Sequence, residues 1–250
     1  MVIGPTSPLR QLPAGLNRRQ MLFFDGIRVA IDMADLAYAR LEEVLTRLAN
    51  HDFPQEEVEM AMTVAFQDAW TIVDSVNRLR VLLKKLPNFK QRAPSLQVLY
   101  RHINLVEELR HTVQHLDTQI NLLEQRDLSV WGTLRWFVLV DRDQLKYMSG
   151  TLASGSQFGA AHEIAQLKPG QSMYGSTDHI TLLASELSAN LSEIMRALGA
   201  FIPKLEGVLA PQFQGLPTAI GNLLLVAHIR AIEDDKPPAG GRPPDPGEPE

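Results

Sequence analysis

The stretch LRHTVQHLD, Leu109 to Asp117, sets Arg110, His111 and His115 within six positions. Three chemistries fit those residue types. A histidine can take or give a proton near neutral pH. A permanently charged arginine can stabilise the pentacoordinate phosphate formed when a ribose 2′-hydroxyl attacks its own phosphodiester. Only RNA carries that nucleophile, and the reaction needs no metal. Alternatively, two histidines one helical turn apart can chelate a divalent ion, and Glu108-x-x-His111 has the form of a di-iron carboxylate motif. Such sites need the motif twice, and no second Glu-x-x-His occurs, so no metal or other cofactor is expected. The third possibility is a solvated helix face, with Glu107 and His111 as an ordinary i,i+4 pair.

Placing these residues requires a helix. The apolar positions Leu96, Leu99, Ile103, Val106, Leu109, Val113, Leu116, Ile120 and Leu123 alternate in steps of three and four, which predicts one helix from Pro94 to Arg126. At about 100° per residue, His111 and His115 share the side opposite that stripe, Glu108 sits beside them and Arg110 lies on the flank. Two further long helices precede it. One spans Met21 to Asn50, and a second spans Pro54 to Leu86, with Pro54, Glu56 and Glu57 suited to its start and Lys84 and Lys85 to its end. Three such helices with short connections predict an antiparallel bundle.

After residue 126 the pattern changes. Trp131 to Val140 is aromatic and β-branched, and a hairpin of Leu134–Val140 with Lys146–Leu152 is expected. A flexible segment follows, then a third strand over DHITLLA and a helix from Asn190 to Leu209 that Pro203 should kink or end. The fold class is thus mainly α: a bundle of three long helices plus a small hairpin-containing segment and a C-terminal helix. The expected divisions are a flexible arm at 1–20, the bundle at 21–126, the hairpin and C-terminal helix at 127–232, and an acidic tail at 233–250. That tail holds six of the sixteen prolines and no large apolar residue, so disorder is expected there.

Composition narrows the function classes. The chain has no cysteine, which excludes disulfides and thiolate chemistry. No Gly-x-Ser-x-Gly elbow, P-loop or Gly-rich dinucleotide motif occurs. The opening residues lack the apolar core of a secretory signal, and no apolar run approaches the ~20 residues of a membrane span. A cytoplasmic protein without a membrane partner is expected. Trp131 and Trp136 are read as closing the junction between bundle and hairpin, and Asp74 and Arg78 as a helix ion pair. The net charge of −5 offers no global attraction for nucleic acid, but its distribution is uneven. From Ser75 to Val106 there is no Asp or Glu, while Arg78, Arg80, Lys84, Lys85, Lys90, Arg92 and Arg101 supply seven positive charges.

Arg110-His111-Thr112-Val113-Gln114-His115 resembles the R-x(4–6)-H motif of the HEPN superfamily, in which a polar residue follows the arginine. The resemblance covers at most residues 21–126. It implies a small all-α bundle, a homodimer with a shared cleft, and metal-independent endoribonuclease activity or RNA binding, as in toxin–antitoxin or phage-defence systems. On that resemblance Arg110 and His115 are catalytic, His111 supports them, the seven basic residues contact RNA, and an antitoxin or other protein is a further partner. The alternative is a non-enzymatic interaction or assembly protein whose long helices form a partner-binding surface.

Overall fold

Asn17 opens the first helix. Its side chain accepts from the Gln20 backbone N–H at 2.9 Å while the Gln20 side chain returns the bond to Asn17 N–H at 3.1 Å, a complete capping box. The computed structural model describes residues 1–87, 89–126, 128–143, 146–155, 164–168 and 170–226. The acidic tail, His228 and, within the segment expected to be flexible, residues 160–163 (His162 among them) and 169 lie outside these residues. The chain divides into a unit Met1–Ala219 and a stretch Ile220–Glu250, of which residues 220–226 are irregular and exposed.

The protein is mainly helical with a small antiparallel sheet. Helix α1 (Arg18–Ala49) and helix α2 (Val58–Lys85, entered through a 3-10 turn at Gln55–Glu57) pack along their length. Ile27, Ile31, Ala34, Leu41 and Leu45 of α1 are buried with Ala65, Ala69, Ile72, Val76, Leu79 and Leu83 of α2. Both helices follow the spacing of their apolar residues.

The third expected helix is broken. It runs as α3 (Pro94–Ile103), α4 (Leu105–Gln114) and α5 (Leu116–Gln125). Asn104 keeps helical dihedrals (φ −64°, ψ −35°) and donates to Tyr100 O, so α3 continues into α4. His115 does not: its φ of −115° and ψ of 41° leave the helical region. Core packing explains where regularity stops. Leu96, Leu99, Ile103, Val106 and Leu109 are fully buried, whereas Ile120, expected on the same stripe, is 48% exposed. The side chains of Val113 and Leu116 lie outside those described.

The sheet has the order β2-β1-β3-β4, all antiparallel, with β1 at Thr133–Asp141, β2 at Lys146–Ala153, β3 at Thr177–Ala184 and β4 at Leu187–Asn190. The hairpin and third strand stand where the aromatic and β-branched segments place them, and β4 adds a short fourth strand. Trp136 pairs across from Gly150, and a Cβ at Gly150 would sit 2.2 Å from the indole, so only glycine admits that ring. Trp131 holds the other side of the junction, its carbonyl accepting from Trp70 Nε1 at 3.1 Å.

Helix α6 (Leu191–Phe213) packs against α3 and β3. Pro203 lies inside it without ending it, the second of the two outcomes expected for that proline. Ile202, Leu205 and Leu209 are buried on both sides of the exposed proline, so side-chain packing outweighs the lost backbone bond. The first seventeen residues are irregular but not loose. Ile3 and Leu9 are fully buried, and Arg10 donates to Asp32 of α1 at 2.6 and 3.0 Å. The flexible arm is therefore corrected to a docked one.

Candidate functional site

Helix α4 faces α2 with Val106 and Leu109 and turns Glu107, Glu108 and His111 outward. Its two glutamates stand in the first turn and His111 in the last, the charge order a helix dipole favours. Arg110, on the flank, is partly exposed. Its Nε donates to Asp74 Oδ1 at 2.9 Å, and the other oxygen of the same carboxylate accepts from Arg78 Nε at 2.7 Å. Asp74 on α2 thus orients two guanidiniums, one from its own helix and one from α4. The bond to Asp74 occupies one of the five N–H donors of Arg110.

His111 and His115 are exposed and stack with ring centroids 6.0 Å apart and planes 10° from parallel. The outward direction follows from their spacing, but the register at His115 does not, because it stands at the break between α4 and α5. Its backbone N–H still donates to His111 O at 3.2 Å, which keeps the two residues one turn apart.

Of the seven basic residues, Arg78, Lys84, Lys85, Lys90, Arg92 and Arg101 are exposed. Arg80 is the exception. It is only 2% exposed, donates from Nε and Nη2 to Asn77 Oδ1 at 3.4 and 3.2 Å, and pairs with Glu107 Oε1 of α4 at 2.5 Å. Its role is to tie α4 to α2, and it cannot reach a ligand, so its expected place among RNA contacts is corrected. The hydrogen bond from Arg80 holds the Glu107 carboxyl below its ordinary range, helped by the charges of Arg80, Lys84 and His111 and opposed by desolvation.

A second polar group, not found from sequence, lies where α1, β3 and α6 meet. Asp178, 1% exposed, accepts from Arg196 Nη1 at 2.6 Å, from His179 N–H at 2.6 Å and from Tyr174 N–H at 2.8 Å. Burial pushes its carboxyl up, but these bonds and the Arg196 charge outweigh burial and hold it below the ordinary range. The Arg196 guanidinium lies 4.6 Å from the Tyr174 ring. On the α1 side, Tyr38 Oη donates to Ser192 Oγ at 2.9 Å, and Ser192 Oγ accepts from Ile180 N–H at 3.0 Å. Burial raises the Tyr38 hydroxyl far above its usual range and also raises half-buried Glu42. His179 has a left-handed φ of 52° and a buried ring whose Nε2 lies 3.1 Å from Ser172 O. Asp178 and Ser192 are enclosed, so this group fastens α6 to the sheet. The one hint in the sequence was a charged residue near the start of a strand that ends in an apolar run, Leu182 to Ala184.

Among the described residues, no three His, Asp or Glu side chains gather in a metal-binding arrangement. No described helix is long and apolar enough to cross a membrane. A shallow depression lies between α3 and α6, lined by Val98, His102, Arg196, Ala200, Phe201 and Lys204, so the α4 histidines stand on an open face instead of in that hollow. In comparison with known proteins, no family model matches the chain, and neither a curated protein nor a solved structure matches it.

Proposed function

We propose that the outward face of α4 is an RNA-directed site of HEPN type that works without a metal. One observation carries the reading: two exposed imidazoles stack 6.0 Å apart, and Arg110, next to His111 in sequence, has its guanidinium oriented by the Asp74 carboxylate. Both rings can approach a single phosphodiester from solvent. One imidazole takes the proton of the ribose 2′-hydroxyl as its oxygen attacks phosphorus. Arg110 balances the charge that grows on the non-bridging oxygens. The second imidazole gives a proton to the departing 5′-oxygen, leaving a 2′,3′-cyclic phosphate and a 5′-hydroxyl. Arg78, Lys84, Lys85, Lys90, Arg92 and Arg101 are available as phosphate contacts, two or three of them engaged at once, and a toxin or phage-defence setting with an antitoxin-like partner belongs to the same proposal.

The test is incubation of single-stranded RNA with the full chain in EDTA, with the product ends identified. Cleavage to cyclic phosphate ends is expected, lost in His111→Ala and His115→Ala. Both are exposed, so the melting transition should move by no more than about 0.5 kcal/mol equivalent. Salt-dependent binding without cleavage would leave an RNA-binding relative. RNA neither bound nor cut at low salt would refute the reading. The alternative, a non-enzymatic assembly protein, draws on a different surface, the outer side of α1.

A further inference from the structure

Helix α1 carries four large apolar side chains that its own core does not cover. Leu22, Val29, Met33 and Leu36 are 60%, 43%, 44% and 60% exposed. Their spacing of seven, four and three places them within an arc of about 60° on the helix surface. The ridge has one fixed border and one fixed end. Along one side Arg10 of the docked arm pairs with Asp32, and at the C-terminal end of the ridge Arg40, in line with it, pairs with Asp68 of α2. A stripe with this repeat is the form taken by one half of a helix–helix seam.

We infer that this ridge seats a second copy of the chain, with the two α1 helices antiparallel about a point between Val29 and Met33. The charges select the partner and its direction. Arg18 and Arg19 are exposed about twelve residues before that point, and Glu43 is exposed twelve residues after it. Each end is therefore about 18 Å from the centre at 1.5 Å per residue. Antiparallel pairing brings Arg18 and Arg19 of each copy to Glu43 of the other, the self-complementary arrangement a two-fold axis requires. Parallel pairing would set arginine against arginine and Glu43 against Glu43. In the antiparallel seam Val29 meets Met33 of the partner copy, Leu22 lies along the stem of Arg40 of the partner copy, and Leu36 falls opposite Gly26 of the partner copy, beside which that copy's own Leu82 is packed. A membrane surface suits the ridge less well, because Asp25, Asp32 and Glu43 stand beside it among the arginines, where an interfacial helix carries lysine and arginine alone.

This inference needs only α1 and is independent of the RNA reading, since its readout is mass and not cleavage. Sedimentation of the full chain across a micromolar range should show a reversible dimer. Met33→Glu puts an unpaired charge into the seam and should weaken it about a hundredfold or more while the helical signal stays intact. Glu43→Arg and the pair Arg18→Glu with Arg19→Glu should each weaken it, and all three together should restore it. That rescue survives even if Met33→Glu disturbs the monomer. A monomer throughout the range, a dimer indifferent to Met33→Glu, or failure of the triple variant to recover would overturn the inference. A monomer that Met33→Glu destabilises would also overturn it and assign the ridge to a partner within the chain.

Discussion

Replacing Asp178 by asparagine should cost far more than its small change in shape. The carboxylate is enclosed, and its two oxygens take three donors: Arg196 and His179 N–H on one, Tyr174 N–H on the other. An asparagine must turn its amide nitrogen toward one of those sides, setting N–H against N–H. Hydrogen bonds to a charged group are worth about 1.5–3 kcal/mol each, and removing one partner of a buried ion pair typically costs about 3–5 kcal/mol. Arg196 is a third exposed and can turn to water, which brings the expectation to the lower end, about 3 kcal/mol. In a unit of this size that lowers Tm by about 6–12 °C. The pH dependence adds a second signature. Because Asp178 ionises more readily in the folded state, its contribution is present above the unfolded value of about 3.9 and fades as pH falls toward the folded one. Urea unfolding followed by circular dichroism, near neutrality and near pH 3, should show the gap between the two proteins shrinking in acid. A loss below about 1 kcal/mol, or a gap indifferent to pH, would refute the account of Asp178 as the clamp between α6 and the sheet.

Three further changes probe separate parts of the chain. Gly150→Ala forces a methyl into the Trp136 indole and should cost about 1–3 kcal/mol, with a red shift of tryptophan emission as the ring is displaced. Glu42 holds its proton more tightly folded than unfolded, so its ionisation subtracts stability as pH rises above the unfolded value of about 4.3. Glu42→Gln should therefore match the parent in acid and exceed it in Tm at neutrality. Asp74→Asn releases Arg110 and Arg78, which are partly exposed, so stability should change by less than about 1 kcal/mol while RNA cleavage drops sharply. Equal losses of stability and cleavage would deny Asp74 an orienting role.

Where local periodicity decides structure, the sequence was legible. Helices α1 and α2 follow from apolar spacing, the hairpin and β3 from aromatic and β-branched runs, and the Asp74–Arg78 pair from a separation of four. What failed depends on partners far along the chain. Tyr38 and Ser192 stand 154 positions apart, and no local pattern links them. Ile3, Leu9 and Leu12 show no period among their prolines, so their burial could not be read from spacing. Arg80 looks like any cation in a basic run until α4 brings Glu107 to it. The break at His115 has neither proline nor glycine as a signal; it falls where the core stops supporting the helix. The short strand β4 follows a tight turn at Ser185, whose φ of 54° is a conformation that serine does not advertise.

These misses bear on the α4 site through its electrostatics. With Arg80 buried against Glu107, that pair contributes no net charge to the face. Asp74 is shared between Arg78 and Arg110, so one positive charge of that trio stays uncompensated. The exposed Lys84 and Arg101 add to it from the ends of α2 and α3, while Glu108 and Asp117 subtract from it. The surface around His111 and His115 is therefore only modestly cationic. Weak general attraction combined with a fixed guanidinium favours a ligand recognised at one phosphate over a long polyanion held by charge alone. The slope of log affinity against log salt should then be shallow, corresponding to about two or three phosphates, in place of the six to ten of extended nucleic-acid grooves. A steep slope would mean that the basic residues at the end of α2 and before α3 dominate binding, and that the histidine pair sits beside the true footprint instead of at its centre.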